Sequence, residues 1–276
     1  PMFYLAIAVY MLLNGRSNTY WAPNGISWWS ICSTALFVHG LHPESINAVV
    51  PGGWSISVEM FFYIAFPFLI KRIQSLISAF MFMLICLALN RLNGWIAPLI
   101  FSYPHQQQYI ADNFNELNFL SQLPLFGMGM AAFAMLRNGD HFSGKLQNTC
   151  FFVALIPLTY LTSKNPSTLL AGFAFTLVLI LLAKHPLRLL VNPFTITLGK
   201  WSYSIYLVHF LVLTTLHHSN INQYFSTGNL SSLTYFSLVL MLSAAMAYMT
   251  YRAIERPASH LGNESSRGNA TSLTEK

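Results

Sequence analysis

Trp54-Ser55-Ile56-Ser57-Val58-Glu59-Met60-Phe61-Phe62-Tyr63-Ile64-Ala65-Phe66-Pro67-Phe68-Leu69-Ile70, closed by Lys71-Arg72, is the stretch on which the fold turns. A bilayer crossing takes about 17–25 predominantly apolar residues as a helix, and the run is long enough. Backbone N–H and C=O groups cannot stay unpaired in lipid, so a run of this kind reads as α-helix. The one acid inside it, Glu59, is expensive at membrane depth and has to face a polar interior or water. Ser55, Glu59 and Tyr63 stand at i, i+4 and i+8 and share one helix face, a polar stripe on an oily rod. Two readings of Glu59 stay open at this point. It is a first-turn acid held among headgroups by the positive end of the helix dipole, or a carboxylate retained for chemistry.

Working outward, comparable runs lie at 1–14, 76–92, 119–136, 147–162, 168–184, 201–217 and 233–254. The run 28–40 is also apolar but short for a crossing, so it reads as a re-entrant or interfacial helix. The expected fold is therefore all-α: a polytopic transmembrane bundle of about eight spanning helices plus that short one. Composition agrees. Hydrophobic types make up 54% of the 276 residues and charged types 8%, against about a quarter charged in soluble chains. A water-facing surface cannot be covered with so few charges, and the partner of the bulk of the chain is the lipid bilayer.

The net charge of +6 is scattered between apolar runs rather than clustered, which speaks against nucleic acid. It fits membrane topology instead, because cytoplasmic loops collect Lys and Arg. With the residues after Arg252 inside, Lys71, Arg72, Arg137, Lys145, Lys184, Arg188, Lys200, Arg256, Arg267 and Lys276 also fall inside. Arg16, Arg91 and Lys164 fall outside. The C-terminus is thus expected in the cytoplasm, with 262–276 as a disordered polar tail. Cys32, Cys86 and Cys150 are widely spaced in apolar surroundings and offer neither a disulfide framework nor metal-ligand spacing. The longest outside stretch, 93–118, is long enough to be functional or partly structured. The chain opens on Pro1 without an initiator Met or a signal-peptide pattern, and reads as a piece of something longer.

Two further stretches carry polar groups into apolar surroundings. In Gly199-Lys200-Trp201-Ser202-Tyr203-Ser204-Ile205-Tyr206-Leu207-Val208-His209, the side chains of Ser202, Tyr206 and His209 fall at i, i+4 and i+7. An imidazole there either moves a proton near neutral pH or is packing glue held by hydroxyls between helices. In Tyr251-Arg252-Ala253-Ile254-Glu255-Arg256-Pro257, Arg252 and Glu255 are spaced to pair. Pro257 is expected to stop the helix, and the cluster also serves as a topology anchor. His39 lies close in sequence to Trp54, within reach of the same site.

The three stretches, in this order, resemble acyltransferase family 3. Its Trp-Ser-x-Ser-Val-Glu helix is matched from Trp54 to Tyr63, its Gly-x-x-Ser-Tyr-x-x-Tyr-x-x-His helix from Gly199 to His209, and its Tyr-Arg-x-x-Glu-x-Pro end from Tyr251 to Pro257. The Pro1-Met2-Phe3-Tyr4 start looks like the Tyr-Pro-x-Tyr that follows the family's basic loop. The resemblance implies about ten spans in the complete protein, so that 1–261 would be the acyltransferase-like domain lacking its first helices. The family's expected base, a His, and its Arg-rich loop would lie in that upstream part, and the fragment alone is expected to be inactive. The second acid that often follows the Val-Glu pair is Met60 here.

What the resemblance implies for function is an O-acyltransferase, chiefly an O-acetyltransferase, of the bacterial inner membrane. It would move an acyl group from acyl-coenzyme A, with acetyl-coenzyme A as the expected donor and no metal, to a hydroxyl of a cell-surface or exported sugar or polysaccharide. Glu59 and His209 are then the catalytic candidates. Trp54, Ser55, Ser57, Tyr63, His39, Ser202, Tyr203 and Tyr206 are the substrate-binding candidates. Lys71, Arg72, Lys200 and Arg252 are candidates for the polyanionic donor, which basic side chains bind well. The competing readings are a transporter or flippase of sugars or lipids, and an inactive truncated product. Charged pairs at the membrane midplane would mark ion-coupled transport, and Glu59 is almost alone there.

Overall fold

A computed structural model of the chain describes residues 1–137, 168–225 and 228–259. Among the described residues the regular structure is helical. The helices are α1 (Met2–Asn14), α2 (Trp28–Ala35), α3 (Trp54–Arg72), α4 (Leu76–Ile100), α5 (Gln108–Leu117), α6 (Phe119–Arg137), α7 (Thr168–Lys184), α8 (Pro193–His218) and α9 (Asn229–Thr250). Among the described residues, five helical segments are long and apolar enough to cross a membrane: Trp54–Arg72, Ile77–Ile100, His105–Arg137, Pro193–His218 and Leu230–Ser259. α1 and α7 are apolar but shorter. Large apolar side chains such as Ile64, Phe68, Ile77 and Leu99 stand outward on these helices, as they do where the surrounding solvent is lipid. The chain is an all-α, multi-pass membrane protein. The expected crossing at 147–162 and the tail 262–276 lie outside the described residues.

Three stretches take a more definite form, and the last of them departs from expectation. The run 28–40 forms an eight-residue helix, α2, ~12 Å long and too short to span. It is followed by a 3-10 turn at His39–Leu41. The stretch 93–118 is mostly helical: α4 continues to Ile100, and α5 occupies Gln108–Leu117. Its polar residues, which read as loop, instead pair with one another. Asn93 Nδ2 donates to Asn115 Oδ1 at 3.0 Å and to Ser121 Oγ at 2.9 Å. Pro257 does not stop α9. A π-helical turn at Tyr251–Glu255 precedes it and the helix runs on to Ser259.

The chain divides into two compact units, each described by itself. The larger holds 18–48 and 54–192. Its core joins Phe62, Ile73, Ala79, Met130 and Ala134, with the rings of Phe62 and Phe126 stacked at 4.0 Å. α4 and α6 pack closely because Gly127 lets the backbone at Met83 approach; a Cβ there would stand 3.2 Å from Met83 Cα. α4 starts at a capping box, with Ser75 and Ser78 each bonding the other's backbone N–H, which satisfies two of the donors a helix start leaves orphaned.

The smaller unit holds 1–17, 49–53 and the described residues from 193 onward. In it α8 packs along α9, and α1 against α8.

Candidate active-site residues

In the larger unit, α3 begins with Trp54, whose backbone N–H donates to the buried Asn47 Oδ1 at 3.3 Å. One orphan donor of the helix start is thereby satisfied from seven residues upstream. One turn on, Glu59 is half-buried and accepts from the Tyr63 hydroxyl at 3.3 Å. The i, i+4 stripe therefore exists as a bonded pair, with Tyr63 itself well exposed. Ser55 and Trp54 are half-buried beside it on the same first turns.

Ser57 has a different place. It is fully buried; its hydroxyl accepts from the Gly40 N–H at 3.1 Å and donates to the Phe37 carbonyl at 2.6 Å. A Cβ on Gly40 would stand 2.6 Å from Ser57 Oγ, so the loop can approach α3 this closely only with glycine there. Ser45 Oγ adds a bond to the His39 carbonyl at 2.7 Å. His39 is enclosed by this clasp and 1% exposed. Ser57 is thus spent on holding the loop that carries His39. Lys71 and Arg72 lie exposed at the far end of α3. In the connection after α4, outside the spanning segments, burial and then the neighbouring Glu44 carboxylate push the Tyr103 phenol up to about 12.

In the smaller unit, α8 carries Tyr206 and His209. The Tyr206 hydroxyl donates to the Gly52 carbonyl at 2.6 Å. Gly52 sits at φ +77°, and a Cβ on it would meet the Phe210 ring at 2.8 Å and the Tyr206 hydroxyl at 3.1 Å. Both the turn and the ring approach therefore require glycine. His209 Nδ1 lies 2.6 Å from the Tyr206 carbonyl. A carbonyl only accepts, so Nδ1 is the donor of this bond and Nε2 is left facing away from it. The Phe210 ring packs at 4.0 Å against the imidazole. Ser202 and Tyr203 are exposed on α8 and do not join this pair, and Lys200 is exposed one turn earlier.

The expected Arg252–Glu255 pair is replaced by other partners. Arg252 Nη1 donates to the Tyr248 hydroxyl at 2.7 Å, whose ring lies beside that of Trp201 at 5.2 Å. Glu255 Oε1 accepts from Ser204 at 2.6 Å. Sequence reasoning passed over Ser204, Asn47 and Gly52; the polar side chains pair across long sequence separations, which no periodicity reveals. Among the described residues, no three His, Cys, Asp or Glu side chains gather so as to hold a metal ion.

The larger unit thus carries a carboxylate bonded to a tyrosine on an apolar helix, and the smaller unit an imidazole bonded to a backbone carbonyl. The sequence profile of acyltransferase family 3, described as "Acyltransferase domain", matches residues 2–252, and the chain belongs to that family. Among curated proteins it is similar to one named "Putative O-acetyltransferase" in Staphylococcus aureus (strain COL), 30% identical over 115 residues, covering 38% of this chain and 18% of that protein. The same figures hold for one so named in Staphylococcus aureus (strain MRSA252). The matched region thus spans under a fifth of those relatives' own length. No solved structure matches the chain.

Proposed function

We propose that this chain is the helix-bundle part of a membrane O-acyltransferase, which moves an acetyl group from acetyl-coenzyme A to a hydroxyl of a cell-surface or exported sugar. The observation that carries the reading is the Glu59–Tyr63 pair within a spanning helix. Family membership and the relatives' names support it. The reaction breaks the thioester C–S bond and forms an ester C–O bond, while the acceptor's hydroxyl proton ends on the thiol of coenzyme A. Proton transfer by a positioned side chain needs hydrogen-bond reach, and contributes about 10²–10⁴ in rate. Glu59 is assigned to receive or orient the acceptor hydroxyl. His209 offers Nε2 along the acyl path, with its ring fixed by the Tyr206 carbonyl.

Trp54, Ser55 and Tyr63 form the wall beside the carboxylate. Ser57 positions the His39 loop, and Tyr206 positions the imidazole. Ser202 and Tyr203 are left as outer contacts. Lys71, Arg72, Lys200 and Arg252, all exposed, are assigned to the phosphates of the donor. The membrane is the bacterial inner membrane with the C-terminus cytoplasmic, supported by the placement of Lys and Arg.

The test is transfer of labelled acetyl from acetyl-coenzyme A to a sugar acceptor in proteoliposomes holding the complete protein, run beside a flux assay for the unmodified sugar. Label appearing on the sugar in ester linkage is the expected result. Sugar flux with no ester formed would replace the enzyme reading by a transporter.

A further inference from the structure

At the C-terminal end of α9 the helix does something unusual. Tyr251–Glu255 is wound as a π-turn, a rare geometry found mostly as a single turn inside an α-helix and often at functional sites. Pro257 gives the local cause. Its ring would clash with the carbonyl four residues earlier, at Ala253, in a regular helix, and it brings no N–H of its own. Widening the turn before the proline lets the helix continue rather than end.

The widened turn has a geometric consequence. Thr250 and Glu255 are five residues apart. On a regular α-helix, at 3.6 residues per turn, they would stand ~140° apart about the axis and could not both face one point on a neighbour. In a turn closed by i→i+5 bonds, residues five apart come nearly over one another. Both side chains meet Ser204 on α8. The Thr250 hydroxyl lies 3.2 Å from Ser204 Oγ, and Ser204 donates to Glu255 Oε1 at 2.6 Å. Ser204 is fully buried.

α8 is held on its opposite side as well. Tyr206 is two residues beyond Ser204, so it leaves the helix ~160° away, and it is bonded to the Gly52 carbonyl. A helix gripped at two nearly opposite points cannot rotate about its axis without losing one of them. The His209 ring, whose tautomer is set by the Tyr206 carbonyl, turns with that helix.

We infer that Glu255 is a positioning residue: through Ser204 it sets the rotation of α8 and hence the direction in which Tyr206 and His209 point. The inference rests on the acyltransferase reading for its kinetic consequence, but not for the bond itself. A carboxylate placed only as a topology anchor would have no need of a buried hydroxyl on another helix.

The test uses the complete protein in proteoliposomes, with E255A, E255Q, S204A and the double variant E255A/S204A. E255A is expected to lower kcat at least tenfold with KM for acetyl-coenzyme A unchanged within twofold. E255Q, which keeps an oxygen acceptor for Ser204, is expected to recover to within threefold of wild type. The double variant is expected to be no slower than E255A alone, because both changes remove one bond. S204A reads the same bond from the other helix should E255A fail to accumulate in the membrane.

Thermal unfolding of the four proteins in detergent supplies a readout free of activity, in which the two single shifts in midpoint are expected not to add. A wild type that transfers no acetyl group would sink the enzyme reading while the non-additive midpoints still upheld the Ser204–Glu255 coupling. Wild-type kcat in E255A, an E255Q as slow as E255A, or fully additive midpoints would each overturn the positioning role.

Discussion

Glu59 and Glu255 both stand on apolar helices in this protein, and they are held in opposite ways. Glu59 bonds within its own helix, to Tyr63 one turn away. Glu255 bonds across to another helix, to Ser204 at 51 residues' separation. The first arrangement needs only that α3 be a helix, and leaves one face of the carboxyl half-exposed for a substrate. The second needs α8, α9 and a π-turn together, and its hydroxyl partner is sealed from solvent. A side chain held locally is free to meet something from outside, whereas one held across helices is occupied with the fold. On the function proposed above, the first serves chemistry and the second alignment.

The comparison can be broken most sharply at His209. Removing the imidazole, in H209A, is expected to lower acetyl transfer by about 10² without changing the amount of protein in the membrane, measured by initial rates against immunoblot. A milder loss would move His209 to the packing role its tyrosine neighbours also permit. Next in size come the residues that hold loops against helices. G52A has to place a side chain at φ +77° against the Phe210 ring, and is expected to cost about 1–3 kcal/mol from backbone strain alone. S57A removes the hydroxyl that bonds the Gly40 N–H and the Phe37 carbonyl, for about 1–3 kcal/mol. Thermal unfolding in detergent reads both.

A smaller effect is expected for Y63F. Its bond to Glu59 is long at 3.3 Å and well exposed, so a two- to threefold change in rate is the scale of a net hydrogen bond below ~1 kcal/mol. The smallest effect is a control outside the spans. E44Q is expected to bring the Tyr103 ionisation down from about 12 only part of the way to its ordinary value. Burial, the larger cause, stays in place. Tyrosinate absorbance during an alkaline titration reads the shift, and a return to the ordinary value would show that Glu44 and not burial dominates.

The contrast between the two acids also explains what the sequence could reveal. The spanning helices follow from length and apolarity, so α3, α6 and the centre of α8 were legible almost to the residue. The Glu59–Tyr63 pair followed from i, i+4 spacing. Helix ends were less legible, since polar residues at 93–118 read as loop but serve as partners between α4, α5 and α6. Pro257 read as a stop because a π-turn, which spares the helix, has no signature in periodicity. Spacing singles out Ser202, which shares a face with His209, and is silent on Ser204. The packing of α9 selects Ser204 instead, and a buried hydroxyl takes its meaning from a helix more than forty residues further along.

The account rests most heavily on Glu59 as a working carboxylate, and E59Q addresses it with the least change in shape. Initial rates of labelled acetyl transfer to a sugar acceptor, in proteoliposomes of the complete protein, are expected to fall by about 10²–10⁴ at unchanged membrane abundance. Transfer by E59Q at the wild-type rate would contradict the account.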